Sequence, residues 1–183
     1  MRVTNLDIPD VKLITPRKFG DHRGFFSEVF NQAVLQEAGI DHNWVQDNHS
    51  LSASAGVVRA LHYQLPPMAQ AKLVRVVKGR ILDVAVDIRR SSKTFGRHVA
   101  VELSSDNWQQ MYVPMGFAHG FVTLEANTEV VYKVSNLYSP PHERGILWND
   151  PSLNIGWTVS PETATLSERD TMHPLFADAK DLF

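Results

Sequence analysis

Apolar and polar residues alternate with a period of two along much of the chain. In LDVAVDI, residues 82–88, every second residue is apolar, and Asp83 and Asp87 fall on the opposite face. This pattern is typical of a half-buried β-strand. The same alternation recurs in HVAVEL, 98–103, and in EVVYKVSNL, 129–137. Many short strands of this kind predict an all-β sandwich or barrel.

A glycine separates two of the predicted strands. Gly79 lies between LVRVV, 73–77, and RILDVAV, 80–86. Glycine readily adopts the backbone angles of a tight turn, so the spacing predicts a hairpin in which these two strands pair.

Helix signals are confined to two places. Asn31 is a suitable N-cap for NQAVLQEAG, and Gly39 marks its end. In SPETATLSERD, Ser160 is a second candidate cap, followed by Pro161 at the first helical position. These signals predict a few short helices, mainly near residues 31–38 and toward the C-terminus.

The composition is that of an ordinary globular domain. Hydrophobic residues make up 43% and charged residues 21% of the 183 residues, a length that buries a sizeable core without disulfides. We therefore expect a single domain over residues 1–183. The formal net charge of −2 argues against a general nucleic-acid or membrane-surface binder, because both need a broad cationic field.

Two absences narrow the chemistry further. The chain has no cysteine, which excludes disulfides, zinc–thiolate sites, iron–sulfur clusters and thiol nucleophiles. The first residues, MRVTNLDIPD, lack the apolar stretch of a signal peptide, and no window approaches the ~18 apolar residues of a membrane-spanning helix. We expect a cytoplasmic protein.

Two histidine-bearing stretches, RALHYQ at 59–64 and VPMGFAHGF at 113–121, resemble the two motifs of the cupin superfamily of small β-barrels. In metal-binding cupins the first motif supplies His-x-His and a Glu, and the second supplies a last His. Here only His62 and His119 remain. The other ligand positions hold Gln64 and either Met68 or Ala69. Two imidazoles alone hold a metal poorly, so we expect no functional metal.

The residues alone do not decide whether His62 is a hydrogen-bonded core side chain or an acid–base group. Alternation along VVRALHYQL, 57–65, places it on a mixed polar and apolar face that suits a pocket lining. Tyr132 points into the same interior if its apolar strand face lines the barrel, and a buried hydroxyl needs a partner. The two residues form a candidate acid–base pair.

Over nearly its whole length the chain resembles the dTDP-4-dehydrorhamnose 3,5-epimerases. The resemblance rests on long ordered blocks, among them GDHRGFFSEVFN, VQDNHSLSASAGVVRALHYQ, YVPMGFAHGF, YKVSNLYSP, ERGILWNDP and LSERD. It implies an all-β cupin-type jelly-roll barrel, a homodimer that exchanges N-terminal strands, no metal and no organic cofactor. The implied reaction converts dTDP-4-dehydro-6-deoxy-D-glucose to dTDP-4-dehydro-L-rhamnose.

Carried over residue by residue, the resemblance implies four catalytic side chains. His62 is the base, Asp170 in SERD is its carboxylate partner, Tyr132 is the acid, and Lys72 lies near the sugar ketone. An imidazole titrates near neutral pH, and a fixed cation stabilises an enolate, so these residue types suit the reaction. The resemblance also implies a set of substrate-binding residues: Arg23, Glu28, Gln46, Asn48, Arg59, His119, Tyr138, Glu143 and Arg169, with Phe19 from the partner chain. Of these, Tyr138 is expected to stack on thymine.

Two positions depart from the family pattern. Ala60 stands where the family has glycine in Arg-Gly-Leu-His, and Arg169 stands where it has lysine before the aspartate.

Strict alternation puts Arg59 and His62 on opposite strand faces, although the family uses both in one site. We therefore expect a β-bulge near Ala60 or a strand end at Arg59.

Two other functions stay open. The chain could be a single-site epimerase that inverts only C3 or only C5 of a related sugar. It could also be a non-catalytic sugar-binding cupin, such as the sensory half of a regulator. The joint presence of His62, Tyr132 and Asp170, and the lack of an appended helix-turn-helix segment, argue against the binding module.

Overall fold

The computed structural model describes residues 1–183, which form thirteen β-strands and two short α-helices. None of the helices has the length and apolar character needed to cross a bilayer. The helices are α1 (Gln32–Glu37) and α2 (Glu168–Thr171), with 3₁₀ turns at Pro140–His142 and Phe176–Asp178. The strands are β1 (Arg2–Asn5), β2 (Lys12–Thr15), β3 (Lys18–Asp21), β4 (Gly24–Ser27), β5 (Gln46–Ser52), β6 (Val58–Gln64), β7 (Lys72–Lys78), β8 (Arg80–Asp87), β9 (His98–Ser104), β10 (Gln110–Val113), β11 (Phe117–Thr123), β12 (Thr128–Val134) and β13 (Glu143–Gly145).

Two antiparallel sheets pack face to face. The first has the strand order β1-β2-β10-β7-β12-β5 and the second β13-β6-β11-β8-β9, while β3 and β4 form a separate hairpin. Between the sheets lies an apolar core, to which the first sheet contributes Val74 and Val130 and the second Ala85 and Phe121. This two-layer antiparallel arrangement is the predicted cupin-type jelly-roll barrel.

The outer face of the second sheet is also covered. Val84 and Val86 of β8 pack against Ile146 and Trp148 of the C-terminal segment. Asp83 and Asp87 on the opposite face are buried as well, each with 0% exposure. The prediction of a half-buried strand over 82–88 is therefore wrong, because a distant segment of the chain covers its outer face.

Gly79 is a turn residue, but it does not make the predicted hairpin. It has a φ of +79°, in the left-handed region that favours glycine. Strand β7 pairs with β10 and β12, whereas β8 pairs with β9 and β11. Gly79 thus carries the chain from one sheet to the other, which is a non-local arrangement that the turn signal alone does not reveal.

Helix α1 confirms the first helix prediction. The Asn31 side chain accepts hydrogen bonds from the backbone N–H groups of Ala33 and Val34, at 3.1 and 3.3 Å. Gly39 follows the helix with a φ of +79°. The helix therefore begins and ends at the predicted signals.

The second helix starts later than predicted. Residues 161–163 form a turn after Ser160, and the cap of α2 is Ser167, whose side chain accepts from the Asp170 N–H. The reason is the backbone of Thr165, which donates to Gly56 O at 2.8 Å and accepts from Val58 N at 2.9 Å. This pairing keeps the chain extended where the cap signal predicts a helix.

A bulge in β6 brings Arg59 and His62 to the same side. Arg59 lies opposite Phe121 and His62 opposite His119 on β11, so β6 has one extra residue between the two pairs. The extra residue reverses the strict alternation of side chains. The predicted bulge near Ala60 is confirmed.

The methyl group of Ala60 does not reach the cleft. Ala60 is fully buried and packs against Gly120 on β11. A Cβ atom added to Gly120 would lie 2.7 Å from the Cα of Ala60 and 2.8 Å from the carbonyl oxygen of Arg59. Gly120 leaves the space that the alanine methyl group occupies. The core therefore accommodates the methyl group that Ala60 has and the family's glycine lacks.

Candidate active site

A cleft of about 490 Å³ lies between strands of both sheets and the segment 165–170. Its lining mixes imidazole, phenol, carboxylate, ammonium and guanidinium groups. The predicted site residues that line it are Arg59, His62, Lys72, His119, Tyr132, Glu143, Arg169 and Asp170. The bulge in β6 and the docking of α2 bring these residues together.

A second recess of about 310 Å³ adjoins the first. The two share His62, Lys72, Tyr132 and Glu143 as lining residues, so they lie side by side, and together they are called the groove. The predicted site residues that only the second recess contains are Gln46, Asn48 and Tyr138.

Three predicted residues lie apart from the cleft of their own chain. Phe19 on β3 is 52% exposed, and Arg23 in the hairpin turn pairs with Asp21. Glu28, just after β4, accepts a hydrogen bond from the Asn31 amide at 3.1 Å. Within one chain the β3–β4 hairpin does not bring them to the groove.

His62 and Asp170 form the centre of the cleft. The Nε2 atom of His62 lies 2.8 Å from Oδ1 of Asp170, and the carboxylate is 7% exposed. Burial alone would raise the pKa of Asp170, but the imidazoles of His173 and His62 outweigh it and hold that pKa well below its usual range. An ionised carboxylate can only accept, so Nε2 of His62 carries the proton and Nδ1 is the basic nitrogen.

His173 is a residue that sequence reasoning missed. Its Nε2 atom lies 3.6 Å from the same Asp170 oxygen, just beyond hydrogen-bond distance. The signal that could have found it is the spacing DTMH, because residues three apart in a helical turn lie side by side.

A second buried imidazole–carboxylate pair lies deeper in the barrel. His119 Nε2 is 2.7 Å from Asp83 Oδ1, and the other Asp83 oxygen is buried without a hydrogen-bond partner. Burial lowers the pKa of His119, against the opposing effect of Asp83. Sequence reasoning missed Asp83, because the alternation of β8 puts it on the face interpreted as exposed.

Lys72 is a buried cation beside this pair. It is 9% exposed, and its Nζ donates to the carbonyl oxygen of His62 at 3.4 Å. Burial lowers the pKa of Lys72 to about 8, against the opposing charges of Asp83 and Glu143. The ammonium is therefore mostly charged at neutral pH.

Tyr132 supplies the phenol. It lies on β12 opposite Asn48 of β5, on the strand face that alternation predicts. Burial raises the pKa of Tyr132 above its usual value. Its hydroxyl thus keeps its proton at neutral pH and can act as an acid.

A hydrogen-bonded network extends from the centre toward the second recess. Tyr138 donates its hydroxyl proton to Glu143 Oε2 at 2.6 Å, and Arg169 pairs with the same carboxylate oxygen. Gln46 Oε1 accepts from the Tyr138 backbone N–H at 3.2 Å, and Gln46 Nε2 donates to Asn48 at 2.8 Å. These contacts hold the Tyr138 ring, which is 51% exposed, at the edge of the groove.

The cupin ligand positions do not form a metal centre. His62 and His119 face each other across β6 and β11, but each is bonded to its own carboxylate. Gln64 donates its amide hydrogens to Met68 O and Leu137 O and accepts from Ser139 N. Its amide group is thus engaged with the backbone and cannot replace the missing imidazole.

Comparison with known proteins indicates the family to which this chain is related. The family model described as dTDP-4-dehydrorhamnose 3,5-epimerase matches residues 5–178. A curated protein with that name from Shigella flexneri is 54% identical over 180 residues, which cover 98% of this chain and 98% of that protein.

Two solved structures share the fold at high identity. The dTDP-4-dehydrorhamnose 3,5-epimerase of Bacillus anthracis, with TDP and PPi bound, gives a TM-score of 0.92 and 49% identity, covering 95% of this chain and 98% of that chain. The dTDP-6-deoxy-D-glucose-3,5-epimerase of Legionella pneumophila, in complex with dTDP-4-keto-L-rhamnose, gives 0.93 and 43%, covering 99% and 96%. This chain belongs to the dTDP-4-dehydrorhamnose 3,5-epimerase family.

Proposed function

We propose that this protein inverts C3 and C5 of dTDP-4-dehydro-6-deoxy-D-glucose and so produces dTDP-4-dehydro-L-rhamnose. The observation that carries the proposal is the groove lined by a carboxylate-bonded imidazole, a buried ammonium and a half-buried phenol. Family membership supports the substrate class. A single domain over residues 1–183 and a cytoplasmic location are predictions that accompany it.

The substrate defines what the site must do. In a 4-keto sugar the hydrogens on C3 and C5 both lie alpha to the carbonyl group. Removal of either leaves an enolate whose negative charge lies on the ketone oxygen. Inversion then requires a proton from the opposite face of the ring. A base, a cation and an acid on different sides of the sugar are sufficient, so the proposed reaction uses no metal and no organic cofactor.

His62 is the base in this proposal. Its Nε2 proton is bonded to Asp170, so Nδ1 is the nitrogen that accepts the proton from C3 or C5. The carboxylate fixes the tautomer and stabilises the imidazolium that forms, as in other His–Asp pairs. Asp170 is therefore a positioning group that does not touch the sugar.

Lys72 and Tyr132 complete the reaction. The Lys72 ammonium, buried and charged before the substrate enters, stabilises the enolate oxygen, and one such donor contributes about 3 kcal/mol. Tyr132 donates its phenolic proton from the far face, at least at C5. Its raised pKa supports this role, because the phenol stays protonated until the carbanion forms.

The remaining groove residues bind the nucleotide and the sugar. Arg59 and Arg169 are suited to diphosphate oxygens, because the guanidinium fork matches them. The half-exposed Tyr138 ring is available to stack on thymine. The other residues assigned to binding are Gln46, Asn48, His119 and Glu143.

We also infer a homodimer with exchanged N-terminal strands. The β3–β4 hairpin carries Phe19, Phe25 and Phe26, which are 52%, 55% and 70% exposed, and a cluster of this kind marks an interaction surface. Placed across the partner's groove, the hairpin would supply Phe19, Arg23 and Glu28 to the other chain. Sedimentation velocity should give a dimer, and a monomer with full activity would contradict the arrangement.

The decisive experiment follows deuterium. The protein is incubated with dTDP-4-dehydro-6-deoxyglucose in heavy water, and label at C3 and C5 is monitored by NMR. Label at both carbons with formation of the L-rhamno ketone supports the double epimerase. Label at one carbon indicates a single-site epimerase, and no label indicates a binding module.

A further inference from the structure

His173 is a buried polar group that the proposed reaction does not use. Its side chain is 10% exposed, and its Nε2 atom is buried without a hydrogen-bond partner. Buried imidazole nitrogens are normally bonded, so an unpartnered one calls for an explanation. The ring lies 5.5 Å from the His62 ring, at an angle of 75°.

The fold holds this ring in place. Gly145 on β13 leaves the space that the ring fills, since an added Cβ there would lie 2.5 Å from the His173 Cδ2 atom. The next residue is anchored as well, because the Pro174 carbonyl accepts a hydrogen bond from Leu147 N at 2.8 Å. These contacts hold His173 in place, with its Nε2 atom 3.6 Å from Oδ1 of Asp170.

Three potential ligand atoms converge at this point. Oδ1 of Asp170 lies 2.8 Å from Nε2 of His62 and 3.6 Å from Nε2 of His173, and all three atoms lie within 4.8 Å of one another. Ligands at about 2.0–2.1 Å from a tetrahedral ion are roughly 3.3 Å apart. Small side-chain rotations therefore suffice to form a coordination site.

We propose that His62, Asp170 and His173 bind a divalent transition-metal ion, best matched by zinc, and that the bound ion inhibits the enzyme. Two imidazoles and one carboxylate suit zinc and its neighbours, whereas magnesium and calcium prefer oxygen ligands alone. This set differs from the cupin positions, because His119 is not part of it.

The ion and the reaction exclude each other. Nε2 of the neutral His62 ring carries the proton that is bonded to Asp170, so an ion can bind this nitrogen only after that proton has moved to Nδ1. Nδ1 then has no lone pair with which to take a proton from the sugar. The inhibition rests on the proposed function of His62, whereas the binding rests only on the three ligands and can be measured without substrate.

Binding is tested by titrating metal-free protein with Zn²⁺ in a calorimeter. We expect one ion per chain, and tetrahedral absorption bands when Co²⁺ replaces Zn²⁺. His173→Ala should weaken binding by about 100-fold or more, because even the loss of an outer-shell partner costs 10–100-fold. His173→Gln should do the same, and thermal melting confirms that each variant is folded.

The matched control is His49→Ala. His49 is 57% exposed and contacts a single carboxylate, Glu129, at 3.1 Å, so its removal should leave Zn²⁺ binding unchanged. Equal affinity in the wild type and both folded His173 variants would overturn the proposed site. So would a loss of binding in His49→Ala.

Inhibition is then measured relative to each protein's own metal-free rate. Zn²⁺ should abolish wild-type epimerisation, a chelator should restore it, and His173→Ala should need about 100-fold more Zn²⁺. Stoichiometric binding with unaltered turnover would overturn the inhibitory role. If the metal-free protein has no epimerase activity, the proposed function fails, while the calorimetric result on the metal site still stands.

Discussion

His62 Nε2 and Asp170 Oδ1 lie 2.8 Å apart although the two residues are separated by 108 positions in the chain. The contact joins β6 of the barrel to α2 of the C-terminal segment. That segment is held to the barrel by the pairing of Thr165 with Gly56 and Val58. The base is therefore oriented only when the C-terminal segment is docked, which ties the chemistry to the last part of the fold.

Replacement of His62 by alanine should abolish exchange at both C3 and C5. The reason is that Nδ1 of this ring is the only base assigned to the two carbons. Binding of the substrate should be largely kept, because the groups assigned to the nucleotide are unchanged. Deuterium exchange by NMR and calorimetric binding check the two statements. Wild-type exchange in His62→Ala would falsify the assignment, and His49→Ala is the control for loss of an exposed histidine.

Tyr132→Phe should separate proton removal from inversion. The variant keeps the base and the cation, so exchange of solvent deuterium into the sugar should continue. The acid on the far face is lost, so formation of the L-rhamno product should fall steeply. Comparison of exchange and product in one NMR time course measures both. Full epimerisation by this variant would remove Tyr132 from the mechanism.

Lys72 should set the alkaline limit of kcat/KM. Burial lowers the pKa of this ammonium to about 8, and only its charged form stabilises the enolate. The contribution is thus present below that pH and is lost as the pH rises through it. Lys72→Met should lower the rate by about 100-fold, in keeping with ~3 kcal/mol for one donor. Lys72→Arg should move the alkaline decline to higher pH, and an unchanged decline would assign it to another group.

Features that depend on local side-chain direction could be predicted from the sequence. Alternation along β12 correctly directs Tyr132 into the groove, and the Asn31 cap correctly starts α1, because both signals act within a few residues. The pairing of strands depends on residues that are distant in the sequence. For that reason the turn signal at Gly79 predicts a hairpin, whereas the chain passes there from one sheet to the other. The N-cap signal at Ser160 also fails, because Thr165 pairs with a segment that is distant in the sequence and this pairing keeps the chain extended.

Burial of charged residues was the other source of error. Asp83 alternates with apolar residues as an exposed residue would, and nothing local indicates that it contacts His119 inside the barrel. The DTMH spacing places His173 near Asp170, but nothing local indicates that its ring packs against Gly145 of β13. The residues at the other cupin ligand positions, Gln64, Met68 and Ala69, likewise give no information about His173.

Asp87 should contribute to acid sensitivity far from the site. Arg89, Ser92 and Thr94 bond its carboxylate and lower its pKa from 3.8 to about 2, although burial opposes them. The folded pKa is below the unfolded value, so the stabilisation is present above pH 3.8 and is lost as the pH falls toward 2. It amounts to about 2 kcal/mol.

Asp87→Asn tests this contribution by urea unfolding at about pH 6 and about pH 3. The drop in unfolding free energy between the two should be smaller in the variant than in the wild type. Asp106→Asn is the control at an exposed carboxylate, 82% accessible, and should keep the wild-type drop. An identical drop in Asp87→Asn would show that the stabilisation resides elsewhere.

Prolonged treatment with a chelator should not lower epimerase activity. The cupin ligand positions are occupied by Gln64, whose amide bonds the backbone, and by Met68 and Ala69, so no resident ion is expected to take part in proton transfer. The measurement is the rate before and after dialysis against a chelator, with residual metal determined by elemental analysis. Reversible inactivation that a divalent ion restores would show that the reaction needs a metal. A rise in rate on chelation would instead agree with inhibitory binding at His173.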